Sequence, residues 1–442
     1  MRKDHWFLPN EDEQMKNILT LLIVFLIVQG FTSSEAFSLT RDWEKDPASV
    51  EIPFAEKVGV VGDVHGAFPE MANTIVALGF CEWTATNTFT LKWTGGKNVL
   101  VFIGDYGDRG EFTKEVYDAV MDLEQQAEQA GGRVVALMGN HEIYLIGDLV
   151  EKRARHLREY DAPKTAINTI LSFEKSGLNY YRDVVSPKSK YGSWIRRRPC
   201  FAVINGFMFI HAGPDLRLLS RDELAKEYRH AMENELFNSP NALFRDEFGP
   251  FMIRDWWGTS DRNIAQDGDF WQKSLDKFGV KGLVFGHTPG AMGMEGHINT
   301  ARKRLICVDV GMTPYYRHSK GIGLLMTVEE SGKMSFRARF ADRSEYFLFD
   351  RDFKNPGNGK PSVKMQGTVA RVTLPVQAKR GNLILNVTDF KTSSLELHPT
   401  PGGEKYVTVF QAENLSPKTK YFYRLKRDGE DVAGMKGTFV TP

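Results

Sequence analysis

Five short, glycine-rich segments carry the side chains whose types and spacing suit metal chemistry. These segments are residues 62–66 (GDVHG), 104–110 (GDYGDRG), 139–142 (GNHE), 211–213 (HAG) and 286–289 (GHTP). Their candidate ligands are Asp63, His65, Asp105, Asn140, His211 and His287. Oxygen and imidazole ligands without sulfur suit borderline divalent ions such as Mn, Fe, Zn or Ni. Two such ions about 3.5–4 Å apart need a shared carboxylate. Asp105 is the natural bridge, so the sequence predicts a two-metal centre.

Each segment follows a stretch that predicts a β-strand, so the fold must bring strand ends together. Residues 57–61, 99–103 and 134–138 predict strands, and residues 70–78 and 113–130 between them predict helices. This alternation predicts an α/β layered fold. Further strands are predicted at residues 205–210, 282–285 and 304–308. The carboxyl ends of strands in such a sheet share one edge, where we expect the five segments to converge.

The rest of the chain divides by composition. The polar helical stretch 145–175 predicts an insertion that covers the sheet. Residues 351–362, rich in Gly, Pro and Asn, predict a linker. Beyond it, residues 363–442 show short alternating runs that predict a β-sandwich. Residues 415–423 (LSPKTKYFY) resemble the tyrosine-corner region of a fibronectin type III domain. We therefore predict an α/β catalytic domain over residues 37–350 and a C-terminal all-β, fibronectin III-like sandwich.

Charge and cysteine content exclude several classes of protein. The chain has 442 residues, and 57 Lys and Arg against 56 Asp and Glu give a formal charge of +1. No global field attracts it to nucleic acid, so we predict no nucleic-acid partner. Three cysteines are too few for a disulfide framework or a thiolate metal site.

The first residues predict a targeting segment. Residues 18–28 (ILTLLIVFLIV) are uninterrupted apolar residues. About 20 would be needed to span a bilayer, so no stable membrane span is predicted. The length is typical of a signal-peptide core, and residues 34–36 form a small-x-small cleavage site. We predict a signal peptide over residues 1–36, with Met15 as an alternative start. Export then leads to secretion, the periplasm or an endomembrane lumen. A buried helix or an uncleaved anchor is the alternative.

The five segments in this order resemble the motif string of the phosphoprotein phosphatase superfamily of calcineurin-like metallophosphoesterases. That resemblance implies a layered β-sheet sandwich flanked by helices and two divalent ions, manganese, iron or zinc. By the resemblance, Asp63, His65 and bridging Asp105 bind the first ion, and Asn140, His211 and His287 complete the second. It further implies that His141 is the general acid, that Asp108 orients His141, and that Arg109 grips the phosphate together with Asn140.

Within that superfamily the chain resembles the Shewanella-like, bacterial-like branch. Residues 93–97 (WTGGK) are similar to the WxGG insertion of this branch. Residues 249–254 (GPFMIR) resemble its GPLWYR-type stretch, with departures at Met252 and Ile253. The resemblance makes Arg254 the candidate second phosphate arginine.

The resemblance implies a phosphoprotein or phosphopeptide substrate, but the chain departs from the classical serine/threonine enzymes. It lacks their SAPNYC segment and has residues 309–311 (DVG) and the pair Tyr315 and Tyr316 instead. Members of the Shewanella-like branch include enzymes that prefer phosphotyrosine. Phosphotyrosine and phosphoserine/threonine therefore both stay open.

Two other functions stay open on the sequence. The same site could hydrolyse dinucleoside polyphosphates or small phosphoesters, although those enzymes usually have GNHD where this chain has Glu142. A non-enzymatic adhesion or scaffold protein led by the sandwich is the third hypothesis. The intact set of metal ligands argues against it.

Overall fold

The computed structural model describes most of the chain between residues 41 and 440. The described ranges are 41–85, 89–147, 164–239, 242–258, 269–316, 321–329, 333–352, 362–366, 369–374, 382–386, 395–397, 408–412, 416, 418–427 and 430–440. The predicted signal peptide and most of the predicted linker lie outside them. Within these ranges, no helix has the length and apolar character needed to cross a membrane.

The α/β region alternates strands and helices. Its strands are β1 (Ser49–Ile52), β2 (Lys57–Val61), β3 (Cys81–Trp83), β4 (Leu91–Trp93), β5 (Val99–Phe102), β6 (Arg133–Ala136), β7 (Phe201–Ile204), β8 (Phe207–Ile210), β9 (Gly282–Phe285), β10 (Asn299–Ala301), β11 (Leu305–Cys307), β12 (Ile322–Val328), β13 (Lys333–Phe340) and β14 (Glu345–Asp352). Its α-helices are α1 (Phe68–Leu78), α2 (Thr113–Gln129), α3 (Asn140–Ile146), α4 (Lys164–Glu174), α5 (Lys190–Arg196), α6 (Arg221–Glu233) and α7 (Phe270–Phe278), with a π-helix at Tyr180–Val185 and a 3₁₀-helix at Leu236–Asn238.

Two six-stranded sheets form the core. One has the order β14-β13-β12-β2-β5-β6 and the other β1-β7-β8-β9-β11-β10. β2, β5 and β6 run parallel in the first sheet, as do β8, β9 and β11 in the second. All four residues of β5, β8 and β9 are buried, as expected for parallel strands covered on both faces. The rings of Phe207 on β8 and Phe336 on β13 lie 5.0 Å apart, centroid to centroid, so the two sheets are in contact there.

Helices pack on the first sheet, so the predicted mixed α/β layered fold is confirmed. α1 contacts β2, β12 and β13, and α2 contacts β6. The C-terminal end of α1 is explained by its sequence. Gly79 caps the helix with a φ of 76°, a conformation that costs glycine little.

One predicted element differs from the structure. Residues 205–210 were expected as one strand, but Asn205 and Gly206 turn the chain between the antiparallel strands β7 and β8. Both have positive φ, 55° and 79°, and an Asn-Gly pair of this kind makes a two-residue hairpin turn. Most of the stretch 145–175, which is predicted to cover the sheet, lies outside the described residues. Within it, α4 packs against α2, which contacts β6, and α4 also contacts the loop after β5.

The C-terminal strands form two antiparallel sheets. These strands are β15 (Ser362–Gln366), β16 (Val369–Leu374), β17 (Asn382–Asn386), β18 (Leu395–Leu397), β19 (Thr408–Ala412), β20 (Lys420–Arg427) and β21 (Glu430–Val440). The sheet orders are β15-β16-β19 and β18-β17-β20-β21. β14 extends to Asp352, two residues past the predicted end of the catalytic domain at residue 350. The fibronectin III-like assignment stays a prediction.

Candidate active site

The five glycine-rich segments begin within three residues of the ends of β2, β5, β6, β8 and β9, and their polar side chains converge. The buried members of the cluster are Asp63, His65, Asp105, Asp108, Asn140, His141, His211 and His287. The structure therefore brings together every predicted metal ligand and the predicted general acid. It leaves the two predicted phosphate arginines at the rim, with Arg109 half-buried and Arg254 exposed.

Asp105 lies at the centre of the cluster. Its Oδ1 is 3.4 Å from His211 Nε2, whereas its Oδ2 is 3.6 Å from His65 Nε2 and 3.8 Å from His141 Nε2. Its two oxygens thus face different imidazoles. Burial would raise the pKa of Asp105, but the imidazoles, led by His211, lower it below the ordinary value. This ionised, two-sided carboxylate suits the predicted bridging role.

The imidazoles of His65 and His211 each have a backbone carbonyl oxygen beside one ring nitrogen. His65 Nδ1 lies 2.9 Å from the Gly107 carbonyl oxygen and His211 Nδ1 lies 3.1 Å from that of Ile103. A backbone carbonyl at one nitrogen fixes the tautomer and leaves the other nitrogen available as a ligand. Burial and the Arg109 guanidinium lower the pKa of His65 to about 3. Burial and His211 lower the pKa of His287 well below its ordinary value. The lowered pKa values of His65 and His287 favour the neutral ring that a metal ligand requires.

The amide of Asn140 completes one side of the cluster. It lies 2.8 Å from His211 Nε2 and 3.1 Å from His287 Nδ1. Asn140 is the first residue of α3, and this position after the end of β6 places its side chain in the cluster.

Asp63 has a buried carboxylate oxygen whose surroundings fit a bound cation. Its Oδ2 accepts a hydrogen bond from the His287 backbone N–H at 2.9 Å. Its buried Oδ1 has no partner among the described residues. Burial, followed by the charges of Asp309 and Asp105, raises the pKa of Asp63 well above its ordinary value. A buried carboxylate oxygen without a donor lacks a compensating charge, which a divalent cation supplies.

The donor sets also fit such ions. The side-chain donor atoms of His65, Asp105 and His141 lie within 4.8 Å of one another, as do those of Asp105, His211 and His287. His141 thus has ligand-like placement, although the sequence predicts it as an acid.

Close packing behind the carboxylates explains two of the glycines. A Cβ at Gly286 would overlap Asp63 Oδ1, and a Cβ at Gly139 would overlap Asp105 Oδ1. Only glycine leaves these oxygens room, which accounts for the glycine preceding the functional residue in both segments.

His141 and Asp108 form a close pair beside Asp105. His141 Nδ1 lies 2.7 Å from Asp108 Oδ2. Burial opposes protonation of His141, yet Asp105 and Asp108 raise its pKa above the ordinary value. Protonated and held at Nδ1, the ring can present Nε2 as a proton donor. This arrangement agrees with the predicted roles of the two residues.

Helix α4 holds the strained segment that carries Asp108 and Arg109. Both residues have positive φ, 69° and 73°, which non-glycine residues rarely adopt. Thr169 Oγ1 accepts a hydrogen bond from the Asp108 backbone N–H at 2.9 Å, and Asn168 Nδ2 donates to the Arg109 carbonyl oxygen at 2.9 Å. Thr169 and Asn168 were not predicted as site residues, since nothing in their spacing links them to residue 108.

The arginines flank the cluster on its open side. The Arg109 guanidinium carbon lies 5.0 Å from the Tyr316 ring centroid and 5.4 Å from that of Tyr315. Arg254 Nη1 donates to Thr288 Oγ1 at 3.2 Å, next to the predicted ligand His287.

Two further buried carboxylates were missed as site residues. Glu142 accepts hydrogen bonds from the backbone N–H groups of Asp105, Tyr106 and Gly139 and from the Tyr117 hydroxyl. Asp309 follows β11 at the same sheet edge, and burial raises its pKa to about 7. The predicted strand at residues 304–308 could have indicated Asp309, because it ends at the edge that carries the metal ligands.

We expect Glu142→Ala to destabilise the protein by about 3 kcal/mol or more. The substitution leaves four buried donors without their acceptor, and each unsatisfied group costs about 1–3 kcal/mol. Urea unfolding followed by fluorescence measures the effect. Glu345→Ala removes an exposed carboxylate paired with Arg337 and Arg339, and this control should lose less than about 1 kcal/mol. Equal losses in the two variants would contradict the anchoring role of Glu142.

Comparisons with known proteins agree with this geometry. The profile of the family described as calcineurin-like phosphoesterase matches residues 56–291. The chain is similar to Shewanella-like protein phosphatase 1 of Plasmodium berghei, 26% identical over 279 residues that cover 60% of this chain and 69% of that protein. It is also similar to Shewanella-like protein phosphatase 2 of Arabidopsis thaliana, 23% identical over 298 residues that cover 58% and 72%.

A solved structure supports the fold. The cold-active protein-tyrosine phosphatase of a psychrophilic Shewanella species superposes with a TM-score of 0.52 at 22% identity, covering 69% of this chain and 82% of that one. The family match spans more than half of the chain and includes all five glycine-rich segments. The chain therefore belongs to the calcineurin-like phosphoesterase family of metal-dependent hydrolases.

Proposed function

We propose that this protein is a Shewanella-like protein phosphatase that removes phosphate from phosphotyrosine and/or phosphoserine and phosphothreonine. The observation that carries the proposal is the position of Asp105, with imidazoles facing both of its oxygens, beside the His141–Asp108 pair. Relatives named as protein phosphatases support the substrate class.

The proposed ligand sets share one carboxylate. Asp63 and His65 would hold the first ion, Asn140, His211 and His287 would hold the second, and Asp105 would serve both. Two divalent ions such as Mn, Fe or Zn, when bound, acidify water at neutral pH and neutralise charge on phosphoryl oxygens. The chain itself keeps the ligand imidazoles neutral and the Asp105 carboxylate ionised.

The remaining residues bind the phosphate and move a proton. Arg109 and Arg254 bind phosphoryl oxygens, for which the planar guanidinium is suited because it can donate two parallel hydrogen bonds. Water, which gives up one proton to solvent, attacks phosphorus opposite the ester oxygen, and the P–O ester bond breaks. His141 Nε2 gives its proton to the departing oxygen while Asp108 holds Nδ1.

A substrate panel tests this function. We expect the metal-loaded protein to hydrolyse phosphopeptides with a higher kcat/KM than dinucleoside polyphosphates, and chelation to abolish both activities. A clear preference for dinucleoside polyphosphates would instead favour the small-phosphoester function. No hydrolysis of any phosphoester by the metal-loaded protein would overturn both.

Arg109→Ala should lower kcat/KM for phosphopeptides about 10- to 100-fold, because a hydrogen bond to a charged group is worth about 1.5–3 kcal/mol. Arg337→Ala is the matched control, since Arg337 also lies over an aromatic ring, that of Phe347 on β14. Steady-state kinetics should leave this control at the wild-type rate. A small and equal effect in the two variants would contradict phosphate binding by Arg109.

The location of the protein is a separate proposal. We propose export directed by residues 1–36, supported by the short apolar run at residues 18–28 and the small residues at 34 and 36. Expressed with its own N-terminus in a secretory host, the protein should be recovered from the medium with a mature end near Phe37. N-terminal sequencing that finds Met1 or Met15 on protein from the cytosol would reject cleavage.

The C-terminal sheets fit the proposed fibronectin III-like sandwich. Seven strands divide into sheets of three and four, the strand number of immunoglobulin-like sandwiches. The Tyr421 hydroxyl, at the start of β20, accepts a hydrogen bond at 2.9 Å from the backbone N–H of Ser416, which lies just before that strand. A bond from this tyrosine to the backbone a few residues upstream is the mark of a tyrosine corner.

A further inference from the structure

The loop after β11 stands at the open side of the active site and is well anchored. Asp309 Oδ1 accepts a hydrogen bond from the Gly311 backbone N–H at 3.0 Å, and the Tyr316 N–H donates to the Thr313 carbonyl oxygen at 3.0 Å. Gly311 has a φ of 61°, and a Cβ there would press on the Tyr316 side chain at 2.9 Å. The loop backbone therefore fixes where the two tyrosines at its end are placed.

These two tyrosines, Tyr315 and Tyr316, form what we call the aromatic wall. Their ring centroids lie 5.3 Å apart with an interplanar angle of 89°. Tyr316 is the inner ring, half-buried and 6.5 Å from the His65 ring. Tyr315 is the outer ring and is 61% exposed. The wall thus extends from a predicted metal ligand outward to solvent.

The wall lies directly beside the arginine that binds phosphate in the proposed function. Both rings are within 5.5 Å of the Arg109 guanidinium carbon. A phosphoryl group held by Arg109 therefore places its ester substituent within reach of the two rings. The phenyl ring of phosphotyrosine can pack there, since aromatic pairs are favourable at centroid separations of about 4.5–7 Å. The single methylene group of phosphoserine offers no such surface.

We propose that the aromatic wall is a specificity site that receives the phenyl ring of phosphotyrosine and makes the enzyme favour aryl over alkyl phosphate esters. This inference rests on the proposed phosphatase function and deepens it by naming the substrate class. The wall therefore has two roles: it packs against the substrate's phenyl ring, and it contacts the Arg109 guanidinium. Because a contact with Arg109 alone serves every phosphoester equally, the two roles are separable by comparing substrates.

The test compares one phosphotyrosine peptide with a phosphoserine peptide of the same flanking sequence. The metal-loaded wild type, Tyr315→Ala, Tyr315→Phe and the control Phe347→Ala are measured by steady-state kinetics. Phe347 is a matched control because it is 54% exposed and lies under an arginine, on the edge strand β14. The ratio of the two kcat/KM values removes any effect common to both peptides, and comparing that ratio between variants cancels the different intrinsic reactivities of the two esters.

We expect Tyr315→Ala to lower the ratio of phosphotyrosine to phosphoserine kcat/KM about 3- to 10-fold, mainly through KM, since an aromatic pair contributes about 0.5–1.5 kcal/mol. Tyr315→Phe should keep the wild-type ratio, because it retains the ring, and so should Phe347→Ala. Inhibition by phosphonates, which have no leaving group, gives a second measurement. Phenylphosphonate should lose affinity in Tyr315→Ala by a similar factor, whereas methylphosphonate should not.

Several outcomes would overturn the proposal. Equal losses for both peptides in Tyr315→Ala would show that the ring only positions Arg109. A ratio that does not change, or one that falls as far in Phe347→Ala, would reject the wall as a specificity site. A wild type that hydrolyses neither peptide would overturn the proposed function, and the proposal with it. Tyr315 is exposed, so its truncation should change stability by less than about 0.5 kcal/mol, which thermal unfolding checks.

Discussion

Asp105→Asn should bind one divalent ion or fewer and should lower kcat by about 10³-fold or more. Asp105 is the residue whose two carboxylate oxygens face His65 on one side and His211 on the other. The amide has one oxygen, so it cannot serve both ligand groups with a negatively charged atom. Bound ions stabilise the transition state by several kcal/mol, and each 1.36 kcal/mol corresponds to a factor of ten in rate.

Metal analysis of the purified variant, together with kinetics on a phosphopeptide, measures this effect. Asp118→Asn is the matched control, because Asp118 is a half-exposed aspartate on α2 that pairs with Lys114 and Lys190 away from the metal ligands. It should bind as many ions as the wild type and turn over at the same rate. An Asp105→Asn protein that keeps two ions and normal rates would refute the bridging role.

His141→Asn should slow hydrolysis in proportion to the basicity of the leaving oxygen. If His141 protonates that oxygen, its contribution grows as the leaving group becomes more basic. A tyrosine phenolate has a conjugate pKa near 10, and a serine alkoxide is far more basic. General acid catalysis is typically worth about 10²–10⁴-fold. Phosphoserine peptides should therefore lose most, phosphotyrosine peptides less, and activated aryl phosphates least.

Metal content separates this role from ligation. His141 Nε2 lies 3.8 Å from Asp105 Oδ2, close enough for a ligand position beside His65. We expect His141→Asn to keep its metal, because Nδ1 is held by Asp108 and the sequence motif assigns the ligands elsewhere. Asp108→Asn should show the same order of losses more mildly, since it removes only the partner that orients the ring. Loss of an ion would show that His141 is a ligand, and equal losses for all leaving groups would show that it is not the general acid.

The strand–loop pattern was sufficient to predict where the ligands meet. Asp63, Asp105 and His287 each come within three residues of the end of a buried strand, and strand ends in a parallel sheet share one edge. The residues that hold those ligands were not predictable in the same way. Glu142 bonds the Asp105 backbone from 37 residues away, and Thr169 bonds Asp108 from 61 residues away. Neither spacing follows a helix or strand period, so no local pattern marks either contact.

By itself, the sequence was sufficient to predict the α/β layering, the candidate ligand set and the chemistry that this set would support. These depend on residue types and on short-range periodicity, which a single chain displays directly. Only the tertiary structure decided which carboxylate oxygen lacks a hydrogen-bond donor. It also decided how α4 holds Asp108 and Arg109 at positive φ, and it placed Tyr315 and Tyr316 beside the Arg109 guanidinium. These features depend on distances between segments far apart in the chain. Such distances are fixed by the packing of whole elements, because a side chain meets its partner only once both backbones are in place.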